Sequence, residues 1–182
     1  MKTDLLDLLV RNAARHGFTF AASKPTAGDI IRAVKAMPYA RASDRRPRTI
    51  IEEWRGTCSG KHYMLAAVMD ELAVPVELTH RVYRLTREGA AQLFPAASRA
   101  IPEHGLTDVH TYASVCLQGE RRLIDVTFPG EWDGRSEMPL ACGPGLDVNV
   151  PPETDPQVLK EALIREHCIP EEREPFIAAL SR

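Results

Sequence analysis

Leu5, Leu8, Leu9 and Ala13 recur at the three-and-four spacing of a helix face, with Thr3 placed to cap its start and Gly17 to stop it. Ile30, Ile31 and Val34 repeat the pattern behind Thr26 and Asp29, which have capping-box spacing, and Pro38 ends it. Two N-terminal helices are therefore predicted within residues 3–37. The run TIIEEWRG predicts a short third helix. From Lys61 to Leu72, the apolar positions Met64, Leu65, Val68, Met69 and Leu72 keep a helical period and mark a buried face. The period then changes. Val76 to Leu85 alternates, with Val76, Leu78, His80 and Val82 on one side and Glu77, Thr79, Arg81 and Tyr83 on the other, as a strand does. Residues 88–102 predict a short helix under a loop. Thr111 to Leu117 and Arg122 to Phe128 predict two strands joined by a hairpin turn at Gln118-Gly119. Residues 130–154, rich in Gly and Pro, read as a long surface connection. Asp155 then caps a helix through Lys160 and Ile164, and PEEREPFIAAL predicts a terminal one. The order predicts an α+β fold in a single domain spanning residues 1–182, with a core at 54–129, helices before it and a loop and helices at 130–182.

Strand parity sharpens the hairpin. A connecting loop with an even number of residues pairs positions whose numbers sum to an odd value, which puts His110 and Asp125 on one face. Direct or diagonal pairing separates their Cβ atoms by roughly 5–8 Å. The opposite face, Ala113, Val115 and Leu117 with Ile124, Val126 and Phe128, is the predicted core side. The face with His110 and Asp125 is then expected to meet the start of the Cys58 helix.

Composition narrows the function classes. A chain of 182 residues with 44% hydrophobic and 26% charged content has material for one sizeable core. A net charge of −2 and a pI near 6.3 give no general attraction to nucleic acid or to anionic membranes. The apolar residues Leu5 to Val10 are broken by Asp7 and followed by Arg11 and Asn12, so neither a signal segment nor a membrane span is read there and a cytoplasmic location is expected. Cys58, Cys116, Cys142 and Cys168 are widely spaced, which predicts free thiols. Arg41, Arg45, Arg46 and Arg48 offer bidentate groups to a phosphate or carboxylate, against the commoner reading of a solvated loop.

The chemistry concentrates where WRGTCSGKHYML turns from small residues into an apolar-faced helix. Cys58 stands at that helix start, where unpaired backbone N–H groups and about half a positive charge lower a thiol pKa. An inert small hydrophobe is the bland alternative for such a cysteine. His110 and Asp125 follow in the order nucleophile, base, orienter, and an Asp inside an apolar run needs a partner. Trp54, Gly56, Ser59, His62 and Tyr112 are candidate supporting residues: Trp54 walls a pocket or braces the loop, and Gly56, with Gly60, permits close backbone approach. Asp108 is a rival orienter, two residues before His110. His62, one helical turn after Cys58, is a rival partner for the thiol, or with it half a metal site whose remaining ligands no C-x-x-C or H-E-x-x-H pattern supplies. Lys61 and His62 otherwise read as electropositive support or simple surface. His16, His80, His104 and His167 carry no motif.

R-G-x-C opening a helix, His-x-aromatic opening a strand, and Asp followed two residues later by Thr together resemble the transglutaminase-like superfamily, a branch of the papain-like cysteine enzymes with a Cys-His-Asp triad. The matching residues are Arg55, Gly56 and Cys58, then His110 and Tyr112, then Asp125 and Thr127. Tyr112 stands where the family often has Trp, and residues 86–109 intervene like an insertion. The resemblance implies a helix bearing the nucleophile packed on a small antiparallel sheet. It also implies a cofactor-free cysteine hydrolase or acyl transferase that forms a thioester with a peptide, protein or small amide. The alternative is an inactive module of the same fold that binds a peptide or protein partner. A third class, thiol redox sensing, needs a resolving cysteine such as Cys116 or Cys142.

Overall fold

The computed structural model describes residues 4–22, 24–136 and 145–181. Within them lie eight helices and a four-stranded antiparallel sheet, an α+β architecture. The chain divides into two compact units: residues 1–78 with 112–138, and residues 79–111 with 139–182.

In the first unit, α1 (Leu5–Arg15), α2 (Ala27–Ala36), α3 (Pro47–Glu53) and α4 (Cys58–Glu71) bury Leu9, Ala13, Ile30, Ile31, Val34, Ile50, Ile51, Met64, Leu65, Val68 and Met69. Thr3 lies outside the described residues, and the cap of α1 is Asp4, whose carboxylate accepts the Asp7 N–H at 3.0 Å. The expected box at α2 is complete: the Thr26 hydroxyl accepts the Asp29 N–H and the Asp29 carboxylate accepts the Thr26 N–H. The strands are β1 (Val76–Leu85), β2 (Leu106–Leu117) and β3 (Glu120–Ile124), with β4 (Gly145–Asn149) following later, in the sheet order β3-β2-β1-β4. Gln118 and Gly119 both take positive φ, 55° and 82°, the pattern of a two-residue hairpin loop whose twist matches its strands. The ladder runs Leu117↔Glu120 to Ala113↔Ile124, the odd-sum parity used above.

Two strand expectations change. The strand holding His110 begins at Leu106, not Thr111, so His110 is interior to it. Its partner stops at Ile124, so Asp125, Val126 and Phe128 lie beyond the ladder. The ladder stops there because the next backbone groups bond to side chains, described below. Both faces of β2 are buried from Asp108 to Val115, as befits an interior strand of the sheet.

In the second unit, residues 79–83 of β1 pair with β4, a strand inside what the sequence reads as surface connection. Leu146 and Val148 do alternate with Asp147 and Asn149, but the run is five residues long within a stretch rich in Gly and Pro, and Leu146 is exposed. The one helix expected at residues 88–102 is two, α5 (Arg87–Leu93) and α6 (Pro95–Ser98): Pro95 forbids continuation and starts the next turn. Far from being an appended insertion, this segment builds core, since Ala90, Ala97, Ile101 and Leu106 pack with Phe176 and Ile177. Those last two come from α8 (Pro170–Leu180), which follows α7 (Pro156–His167), capped by Asp155 as expected.

Gly119→Ala should cost about 1–2 kcal/mol, the penalty of a Cβ in left-handed backbone, whereas Gln118→Asn should be neutral or stabilising. Urea unfolding midpoints of the two variants check both signs.

Candidate functional site

In the first unit the site is built around the start of α4. The chain leaves α3 through Trp54, whose backbone is left-handed at φ 51°, and the Trp54 ring stacks on His16 with centroids 5.1 Å apart. Trp54 is therefore a brace. Gly56 comes next, its N–H donated to the Pro38 carbonyl at 3.3 Å while it bridges to Tyr39. A Cβ at Gly56 would lie 2.8 Å from Lys61 Cγ, and one at Gly60 would lie 2.7 Å from Ile50 Cδ1, so both glycines serve close approach. Thr57 is the N-cap but makes no side-chain cap bond, and the first turn holds no acidic residue. Cys58 is the first residue of the helix and is half-buried. The positive end of the helix thus lacks the side-chain acceptors that usually satisfy it.

Behind Cys58 the helix is enclosed on all sides. Every residue from Ser59 to Leu65 is buried, and Lys61 and His62 are both 0% exposed, which corrects their reading as surface. Their polar atoms go to the segment that carries Asp125. His62 Nδ1–H donates to the Cys58 carbonyl at 2.7 Å, while Nε2 lies 3.2 Å from the Val126 nitrogen and 3.3 Å from the Ile124 carbonyl. Lys61 Nζ donates to the carbonyls of Thr127 (3.1 Å) and Met37 (2.8 Å). Lys35 Nζ, on α2, donates to the Asp125 carbonyl at 3.3 Å. Asp125 itself accepts the Thr127 N–H on Oδ1 at 3.0 Å, and His62 Nε2 stands 3.9 Å from the same oxygen. Side chains therefore do what a strand partner would have done. Asp125 is 1% exposed and shares this interior with Lys61. Burial pushes the Lys61 ammonium down to about 7; the Asp125 carboxylate opposes that shift and Lys35 adds to it. Ser59 and Tyr112 are also buried in this unit. The hydroxyls of Thr127 and Ser114 have no hydrogen-bond partner among the described residues.

His110 belongs to the second unit, where it is 5% exposed and the Tyr83 ring meets it edge-on at 6.4 Å. Asp108 is committed to Arg173, Oδ1 to Nε 2.5 Å, which removes the ground for its reading as orienter. One residue after His110, Thr111 belongs to a buried chain that no sequence motif announced. Lys160 Nζ donates to Thr111 Oγ1 (2.8 Å), so that hydroxyl gives its proton to His80 Nδ1 (3.1 Å), and His80 Nε2–H goes to the Pro156 carbonyl (2.9 Å). Cys168 is buried beside Asp108, and desolvation first, then that negative charge, push its thiol up to about 11. Its thiolate form is disfavoured at neutral pH. Cys142 lies outside the described residues.

Two members of the arginine group are spent locally. Arg46 pairs with Asp44 and Arg48 with Glu52, and the Arg46 hydrogen bond holds the Asp44 carboxyl at about 2. A concavity of about 430 Å³ lined by Glu131, Trp132, Asp133, Arg135 and Ser136 contains none of the expected site residues. Among the described residues no group of three His, Cys, Asp or Glu side chains is arranged to hold a metal ion, and no helix is long and apolar enough to cross a membrane.

Sequence reasoning missed the buried lysines. A signal existed for Lys35, which stands four residues after Ile31 on the apolar face of its helix. Comparison with protein-family models, curated proteins and solved structures finds no match to this chain.

A lysine whose ordinary value is 10.5 and which titrates at about 7 when folded contributes stability that is complete above 10.5 and lost as the pH falls through 7. Unfolding free energy should therefore rise from pH 7 toward 10, by as much as about 1.4 kcal/mol per pH unit. Lys61→Met should flatten that rise, as chemical denaturation of both proteins across the range will report.

Proposed function

We propose that this chain is a cysteine-dependent amide hydrolase or acyl transferase of the transglutaminase-like kind. The observation that carries the reading is the half-buried Cys58 at the first position of a helix whose N-terminus has neither a side-chain cap nor an acidic residue in its first turn. Such a helix end stabilises negative charge, first on a thiolate and then on the oxygen of an acyl group under attack. Asp125 adds support: it is buried and accepts the Thr127 N–H.

In this reading His110 takes the thiol proton and Cys58 Sγ attacks the acyl carbon, with Asp125 stabilising the imidazolium. The C–N bond breaks as His110 returns the proton to the leaving amine, and a thioester remains. Water or an amine then attacks the thioester, His110 takes the proton of the incoming group and gives it to Sγ, and the free thiol is restored. Water makes the protein a hydrolase; an amine makes it a transferase.

Iodoacetamide labelling resolved by mass spectrometry tests this at each cysteine from about pH 5 to 9. Cys58 should label well below pH 8 and faster than Cys116, Cys142 and Cys168, and His110→Ala should remove that advantage. If Cys58 labels no faster than Cys116, the chain is better read as a module that binds a partner without turning it over.

A further inference from the structure

Lys61 is an expensive choice for its position. A buried ammonium gives up its hydration, and an apolar side chain of similar length packs there at lower cost. The Lys61 stem has little freedom, since Gly56 leaves room only for a hydrogen against Cγ, and Nζ is tied to two carbonyls from different parts of the chain. One of these belongs to Thr127, whose N–H is the donor to Asp125 Oδ1. The two ends of one residue are thus gripped by Lys61 and by Asp125, so displacing one moves the other.

We propose that Lys61 is a positioning residue: it fixes the turn on which Asp125 stands, supplies the charge that its carboxylate faces, and through Asp125 sets the reactivity of Cys58. This rests on the reading of Cys58, His110 and Asp125 as the reacting set. The charged and titratable groups facing Lys61 are Asp125 from the segment after β3 and Lys35 from α2, with His62 adjacent on its own helix. A titration of Lys61 near neutrality is consistent with this role.

The test is the pH profile of Cys58 alkylation by iodoacetamide in wild type and Lys61→Met, with thermal unfolding recorded for both. Lys61→Met should slow Cys58 at pH 7 by about tenfold to a hundredfold, change the shape of the profile, and still unfold cooperatively. A rate reduced by one constant factor at every pH, or not reduced, overturns the proposal. Failure of the underlying reading is visible separately, in wild type alone, as a Cys58 no faster than Cys116. Should the variant not fold, NMR on the wild type decides: the Lys61 Cε signal and the Thr127 amide should titrate with one midpoint near 7. A Lys61 midpoint above about 9, near the ordinary lysine range, or a Thr127 amide that does not follow Lys61, overturns it.

Discussion

A buried peptide group must find a hydrogen-bond partner, and in this chain four backbone groups in the three residues after Ile124 find theirs in side chains. Lys35, Lys61 and His62 bond the Asp125 carbonyl, the Thr127 carbonyl and the Val126 N–H, and Asp125 takes the Thr127 N–H. Several features follow from that exchange. The hairpin ends early, α4 is enclosed along its first half, and Gly56 is required because the Lys61 stem lies where a Cβ would be. The start of α4 and the Asp125 turn become one object, so the position of Cys58 is set by the same side chains that set Asp125.

The second unit solves a related problem differently. Its buried lysine, Lys160, faces a hydroxyl instead of carbonyl groups, and the proton order runs from Lys160 through Thr111 and His80 to Pro156 in one sense only. Its buried carboxylate, Asp108, has a bidentate-capable partner in Arg173. These two arrangements hold the residues on either side of His110 along β2, one at Thr111 and one at Asp108. A strand gripped at positions three residues apart, on opposite faces, has little freedom to slip, because a one-residue shift would turn both polar groups to the wrong side.

What was legible in the sequence was whatever a local rule decides. Helix caps at Thr26 and Asp155, the Gln118-Gly119 turn and the placement of Cys58 at a helix start all depend on a few consecutive residues. The site residues were legible as types, Cys58, His110 and Asp125, but their surroundings were not. Lys61 and His62 look like surface because charge usually marks surface, and only the carbonyls of Met37 and Thr127, distant in sequence, make burial tolerable. β4 was illegible for another reason: its alternation of Leu146 and Val148 with Asp147 and Asn149 is only five residues long and sits within a stretch rich in Gly and Pro. Polarity reports exposure only where the partner is water, and for Lys61 and His62 the partner was protein.

Ile50 faces two glycines at once, its Cδ1 lying 2.7 Å from where a Cβ on Gly60 would stand and 3.3 Å from that on Gly56. The three positions therefore form an epistatic group. A methyl at Gly60 pushes on the free end of an isoleucine, so a change of Ile50 to Val clears the way and reverses the sign of the second change, whereas the Lys61 stem closes Gly56 in either background. The order in which substitutions arrive decides which are tolerated, and the loop before Cys58 can drift along one path while the other stays shut.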